Sequence, residues 1–382
     1  MRREDQVSEA RKLLAHLDAR TTASAGDIYR NPVADYTCTQ QAARERDRLF
    51  RDAAINVGFS CLLPKPGDWM THDYAGVPIL LTRRADGSLG AFLNACRHRG
   101  ARVVDGCGAG AKSFSCPYHG WTYGLDGALL ARPDEAAFAG AERVTHGLRP
   151  LPVAEKYGLI WVGTSADTHL DPDALLDGLR SDIAAYGFDT YHHYETRVLR
   201  RQMNWKLAVD TFCETYHLNH LHQTTVAPLF HSNRACFDGF GRNSRMVAAR
   251  RSIDALRGVP EAEWEVLQHI TTVYLLFPNT IFLYQLDHVE AWHIFPGDKV
   301  DETLMYVSLY IPEPVASDSA KRHWDNNFNL LMATVEMEDF PTCEGMQRGF
   351  AAGALDAIVF GRNEPALQYF HKNVKEVLAA AP

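Results

Sequence analysis

Two short cysteine–histidine pairs constrain this chain more than any other feature. Cys96-Arg97-His98-Arg99-Gly100 places a cysteine two positions before a histidine, Cys116-Pro117-Tyr118-His119-Gly120-Trp121 places another three before, and 17 residues separate His98 from Cys116. Each pair sits in a Gly- or Pro-bearing loop between predicted strands, so two hairpin tips can present two thiolates and two imidazoles to one centre. A zinc finger commonly takes two cysteines from a loop and two histidines from a helix. A mixed-ligand [2Fe-2S] centre takes a cysteine pair on one iron and a histidine pair on the other, which one ligand of each kind per loop would suit. A zinc site built from the same four residues, or four residues that never meet, is the alternative. Cys107, between Gly106 and Gly108, reads as a turn thiol outside the centre.

At 382 residues the chain exceeds one ordinary core and predicts about two domains. Hydrophobic residues make up 46% and charged residues 23%, a globular composition. Lys and Arg number 39 against 47 Asp and Glu, a formal net charge of −8, and no basic patch points to nucleic acid. No apolar run is long enough to span a membrane, and no signal-peptide core follows Met1-Arg2-Arg3-Glu4-Asp5, so the expected compartment is the cytoplasm. Eight cysteines are too sparse for a disulfide scaffold there, which leaves metal binding or burial.

The first 50 residues read as helical and polar. From about 50 to 165, short apolar runs flank glycine turns at Asp86-Gly87, Asp126-Gly127 and Tyr157-Gly158, an all-β texture. Beyond 165 the signals mix: a helix over 204–217, strands over 272–277, 280–284 and 304–310, then long helical stretches over 319–349 and 364–379. The fold class is α+β.

The segment from Asn204-Trp205-Lys206 to His222 holds the second cluster. On a helix, Asp210, Glu214 and His217 share one stripe, costly to bury unless it serves something. His222 stands about 140° from His217 on an ideal helix, so both reach one metal only if the helix breaks between them, with Asn219 the expected place. His217, His222 and a distant carboxylate would form the two-histidine, one-carboxylate facial triad of mononuclear Fe(II) oxygenases. His220 competes for the second histidine position. Far downstream, Val335-Glu336-Met337-Glu338-Asp339-Phe340 is an acidic, apolar-flanked segment that offers Glu336, Glu338 and Asp339 as candidates for the carboxylate.

Cys-x-His-Arg-Gly followed by Cys-Pro-Tyr-His-Gly-Trp resembles, residue by residue, the Rieske domain of the Rieske non-heme iron oxygenases. Asn-Trp-Lys, Glu214-x-x-His217-x-x-x-x-His222, and Glu338-Asp339 with Gln347 eight residues later resemble the catalytic part of the same family. The resemblance implies that Cys96 and Cys116 bind one iron of a [2Fe-2S] cluster, that His98 and His119 bind the other, and that His217, His222 and Asp339 hold a mononuclear Fe(II). It implies an N-terminal helical segment (1–50) packed on the catalytic domain, an all-β Rieske domain (51–165) and an antiparallel-sheet, helix-grip catalytic domain (166–382). It further implies a head-to-tail homotrimer in which Glu214 bridges a neighbour's His119 to His217, with Asp210 in support.

Electrons would come from an NAD(P)H-dependent reductase, directly or through a ferredoxin, and O2 would hydroxylate or demethylate a small aromatic or quaternary ammonium substrate. Many ring dioxygenases have Asp where Glu214 stands and Asn where Thr211 stands, so the likeness leans toward the monooxygenase and demethylase branches. A cis-dihydroxylating ring dioxygenase is the rival enzyme; an electron-transfer or scaffold subunit without a working iron site is the rival of another class. Pocket candidates are Phe212, Tyr274, Phe282, Tyr284, Gln285, His288, Trp292 and Met332.

Overall fold

The computed structural model describes residues 1–51, 53–74 and 76–380. It divides into two units, Arg46–Leu175 and a second made of Met1–Glu45 with Leu176–Pro382.

The first unit is built from three small antiparallel sheets. Glycine turns set its pairings: Val77–Arg83 pairs with Leu89–Leu93, Thr122–Gly124 with Leu129–Ala131, and Val153–Lys156 with Leu159–Gly163. In the last of these, Tyr157 and Gly158 both have positive φ, 56° and 74°, the backbone that a two-residue hairpin turn with right-handed twist requires. A core of Leu80, Phe92, Phe114, Trp121, Tyr123 and Leu148 packs around Cys96 and Cys116. Cys107 lies exposed in a two-residue strand against Trp69 and Met70.

The second unit is organised by a seven-stranded sheet. In spatial order its strands are His192–Arg201, Thr303–Ile311, His288–Pro296, Thr280–Gln285, Ile270–Leu276, Asn243–Arg250 and Phe230–Phe240, every adjacent pair antiparallel. Alternation divides the side chains between two faces. On the reverse face Val247 and Ala249 pack with Ala10 and Leu13 of the helix Arg3–Ala19, and Tyr284 stacks on Tyr186 of the helix Arg180–Tyr186 at 4.3 Å. Arg245 ties that side together, its guanidinium donating to Asp182 at 2.7 Å, Asp238 at 2.8 Å and Glu9 at 3.2 Å. The other face carries Met246, Ala248, Val273 and Leu283 and lines a cavity. Asn243–Arg250 is a strand without a sequence signal: seven of its eight residues are buried, so no polar–apolar alternation marks it.

Two expected helices are interrupted. The 204–217 stretch is α-helical only over Trp205–Asp210. Past Asp210 the amides turn back on nearer carbonyls, Phe212 N to Val209 O at 3.1 Å and Cys213 N to Asp210 O at 3.1 Å. The Glu214 carboxylate then captures the amides of Tyr216 and His217, starting a new single turn, Leu218–Leu221. A side chain that takes backbone amides competes with helix continuation. The 319–349 stretch is two helices, Asp318–Thr334 and Phe340–Ala351, joined by a π turn at Val335–Asp339. Pro341 has no amide hydrogen to return to Met337, which favours such an irregularity there. The last stretch forms Pro365–Ala379.

Candidate metal centres

In the first unit two loops close in the same way. Gly100 N donates to Cys96 O at 2.8 Å and Gly120 N to Cys116 O at 3.0 Å, while Cys96 N reaches Ala101 O at 2.7 Å and Cys116 N reaches Trp121 O at 2.8 Å. Gly100 and Gly120 hold φ of 77° and 69°, so the glycine after each histidine is a conformational requirement of the loop. Cys96 and Cys116 are buried, and the His98 and His119 rings stand 4.7 Å apart, His98 stacked on Trp121 at 5.0 Å. The Tyr123 hydroxyl accepts from Arg97 N at 2.9 Å and lies 3.2 Å from Cys96 Sγ, toward which its proton is free to point. Burial pushes the Cys96 thiol up, so only a bound cation would hold it as thiolate.

These residues fit a two-iron cluster. His98 Nδ1 is buried with no hydrogen-bond partner, free to offer its lone pair, and the His119 ring lies beside it with Nε2 2.9 Å from Arg99 Nη2. Among the described residues the four do not gather for a single ion; the group of three ligand atoms lying within 4.8 Å of one another is His217, His222 and Asp339. That spread speaks against one zinc.

The interrupted helix builds the second centre. Asn204 Oδ1 caps its start, accepting from Lys206 N at 3.1 Å. Lys206 Nζ donates to both Glu45 oxygens at 2.7 and 2.6 Å, and Trp205 Nε1 donates to the same carboxylate at 2.9 Å. Gln347 Oε1 accepts from Asn204 N at 3.0 Å, joining the two halves of the motif. His217 and His222 flank the single turn Leu218–Leu221, so their Nε2 atoms converge to 3.1 Å. The turn itself brings them together, and Asn219 lies inside it instead of breaking it.

Asp339 Oδ1 stands 3.2 Å from His222 Nε2 and 3.6 Å from His217 Nε2, buried and accepting no hydrogen bond. Each Nδ1 meets its own carboxylate: Glu214 on His217, and Glu338 on His222 at 2.6 Å. Those contacts put a proton on Nδ1 and leave both Nε2 lone pairs facing Asp339, a donor set that a divalent cation completes. Burial opposes charge on His222, but Asp339 and Glu338 prevail and raise it.

The expected stripe of Asp210, Glu214 and His217 does not form. Asp210 accepts from Tyr36 Oη at 2.8 Å and pairs with His371 Nε2 at 2.8 Å, and among the described residues no hydrogen bond joins it to Glu214 or His217. The helix ends at Asp210, so the 3.6-residue phase does not carry through. His220 is exposed and outside the group. Glu338, weighed from the sequence only as an alternative ligand, is here a partner of His222. Its signal was its place beside Asp339, since adjacent residues on a helical turn point about 100° apart and can serve one site from two directions.

The metal group opens into a cavity of about 180 Å³. Phe212, Gln285 and His288 line it as expected, but Tyr274, Phe282 and Tyr284 lie on the reverse face of their strands, Trp292 packs against Phe212 at 4.9 Å, and Met332 is buried in its helix. Arg250, Glu290 and Asn327 line it without having been anticipated.

Residues 188–380 match the family model of the ring hydroxylating alpha subunit (catalytic domain), and residues 54–152 match that of the Rieske [2Fe-2S] domain. Biphenyl 2,3-dioxygenase subunit alpha of Rhodococcus jostii (strain RHA1) is 28% identical over 302 residues, 68% of this chain and 64% of that protein. The glycine betaine monooxygenase oxygenase subunit of Chromohalobacter salexigens is 32% identical over 197 residues, 50% of this chain and 42% of that protein. Both matches span less than two thirds of the relative's length. The solved structure of the quaternary ammonium Rieske monooxygenase CntA shares the fold, with TM-score 0.80 and 22% identity over 92% of this chain and 96% of that one. Among the described residues no helix is long and apolar enough to cross a membrane.

Proposed function

Since the chain belongs to the ring-hydroxylating alpha subunits, with a Rieske [2Fe-2S] domain ahead of the catalytic domain, we propose that it is the oxygenase component of a multicomponent monooxygenase or demethylase. It takes electrons from an NAD(P)H-dependent reductase, directly or through a ferredoxin, and uses O2 on a small organic molecule. The observation that carries this reading is the convergence of His217 Nε2, His222 Nε2 and the unpartnered Asp339 Oδ1 on one point of a cavity.

Cys96, Cys116, His98 and His119 hold the cluster, and His217, His222 and Asp339 hold the iron. When bound, these groups supply one-electron transfer and O2 activation. The chain's own residues do the rest. Glu214 and Glu338 fix the tautomer and tilt of the two imidazoles. Phe212, Leu331 and Val335 keep water from the site.

Glu214 also bridges to a neighbouring subunit in a homotrimer. A carboxylate offers about four acceptor positions, and within the chain Glu214 uses three, for Tyr216 N, His217 N and His217 Nδ1. The fourth remains for the neighbour's His119. Eight free cysteines and a reductase partner suit the cytoplasm.

Anaerobic metal analysis with EPR of the dithionite-reduced protein tests the assignment. About three irons per chain with a Rieske-type signal is the expected result. Cluster iron without the third iron would leave an electron-transfer subunit, and zinc-only protein that takes up neither centre would overturn the reading. Counting product oxygens from labelled O2 separates monooxygenation from cis-dihydroxylation by a dioxygenase, and dioxygenase is the word in the name of the biphenyl relative.

A further inference from the structure

The cavity that holds the metal group has a second polar region, on its sheet side. Thr271 faces Gln285 across one strand pair and Gln285 faces His288 across the next. At the end of the neighbouring strand, Arg250 Nη1 donates to Thr271 Oγ1 at 3.1 Å and Gln285 Oε1 at 3.3 Å. Gln285 Nε2 donates on to Glu290 Oε1 at 2.9 Å, and His288 Nε2 lies 3.4 Å from the same oxygen. One carboxamide thus orients a guanidinium and a carboxylate that both line the cavity.

The charges in this row are unequally served. Glu290, 2% exposed, has its counterion in His288, whose other nitrogen pairs with Asp287 at 2.9 Å. Arg250 has none: among the described residues no carboxylate lies within ion-pair distance, and its Nε and Nη2 make no hydrogen bond. Burial works against the Arg250 charge and the more distant Glu290 only partly offsets it. A guanidinium with one nitrogen fixed and an N–H edge open presents the fork that a carboxylate matches with two parallel bonds. Glu290 Oε2 is buried and accepts no hydrogen bond.

Much of the rest of the lining is hydrocarbon, including Phe212, Leu218, Val226, Leu283 and Leu331, with Thr211, Thr215, Asn327 and Thr334 as its other polar members. Phe212 and Phe230 are the aromatic lining residues, and Arg250 itself covers the Phe230 ring at 5.1 Å, so no aromatic cage for a quaternary ammonium is left. An apolar cavity of about 150 Å³ accepts benzene, so this one takes a molecule of about one ring.

We propose that Arg250 is a specificity residue that binds the carboxylate of a small, otherwise apolar carboxylic acid, and that such acids are the substrate class. This rests on the oxygenase reading for the metal group beside it. The row itself is built from Thr271, Gln285 and Arg250, none of which touches that group.

Calorimetric titration of the anaerobic holoenzyme with benzoate, cyclohexanecarboxylate, benzamide and benzyltrimethylammonium tests it without turnover. Both carboxylates should bind more tightly than benzamide or the ammonium probe. Arg250→Gln should weaken the carboxylates about 30-fold or more, the effect of truncating one partner of a buried charge pair, and leave benzamide within about twofold, while Arg250→Lys falls between. Equal binding of benzoate and benzamide, no binding of either acid, or benzoate binding unchanged in Arg250→Gln would overturn the proposal. Iron content and the Rieske signal, measured on the same samples, report separately on the oxygenase assignment.

Discussion

Glu338 touches no metal in the proposed scheme, yet its removal should loosen the iron. Its carboxylate accepts from His222 Nδ1 at 2.6 Å and from Thr225 Oγ1 at 2.7 Å. His222 is 2% exposed, so water cannot readily stand in for the lost partner. Glu338→Ala leaves a buried Nδ1 donor unsatisfied and frees the ring to change tautomer, which would place the proton on the nitrogen that faces Asp339. A hydrogen bond involving an ionised partner contributes about 1.5–3 kcal/mol. At about 1.36 kcal/mol per tenfold, that is about 10- to 150-fold in metal affinity, in line with the 10- to 100-fold typical for carboxylates behind a ligand histidine. Glu338→Gln, which can still accept from Nδ1 but carries no charge, should lose less.

The assay is anaerobic competition for Fe(II) between the chelated apo-site and a chromophoric chelator, with the visible absorbance of the Rieske cluster as an internal control for intact protein. Glu336→Gln is the matched control, on the same π turn with no ion pair at His222. Wild-type affinity in Glu338→Ala, or an equal loss in Glu336→Gln, would refute the reasoning.

Two further outcomes follow from neighbouring geometry. Glu214→Gln should keep both metals loaded but lose at least tenfold in the rate of electron arrival at the iron, measured by single-turnover oxidation of the reduced cluster with substrate and O2; normal turnover would remove Glu214 from the bridge. Burial alone would lower His288, but its hydrogen bonds to Asp287 and Glu290 outweigh that and hold it at about 9, against an ordinary 6.5. Its charge therefore stabilises the fold fully below pH 6.5, by about 3 kcal/mol, and that contribution disappears as pH rises from 6.5 through 9. Urea unfolding of wild type and His288→Gln should show a deficit in the variant that is largest near pH 6 and shrinks toward pH 9.5. A deficit constant over that range would show that the imidazolium is not the source.

The legible parts of this protein were those whose geometry is local. Cys96 to Gly100 and Cys116 to Gly120 close onto themselves through one backbone bond each, so their residue types carry the loop shape with them. The glycine hairpins of the first unit are equally self-contained. The helix through Asp210 was misjudged because periodicity describes a helix that continues. It stops where a single carboxylate, Glu214, takes the amides that the next turn needed.

Sequence alone determined the inventory of chemistry: two thiols and two imidazoles on paired loops, and two histidines with an acidic pair far downstream. Tertiary structure decided which member of that pair faces the histidines. Asp339 and Glu338 are neighbours in the chain, and the phase of the π turn between Asp318–Thr334 and Phe340–Ala351 sends one to the centre and the other behind His222. It also decided the pocket wall. Successive residues of a strand point to opposite faces, so Tyr274 and Tyr284 left the cavity and Arg250 and Glu290 entered it through a register set by strands up to 40 residues apart. Those assignments depend on which strand lies beside which, and no local spacing in the chain encodes that.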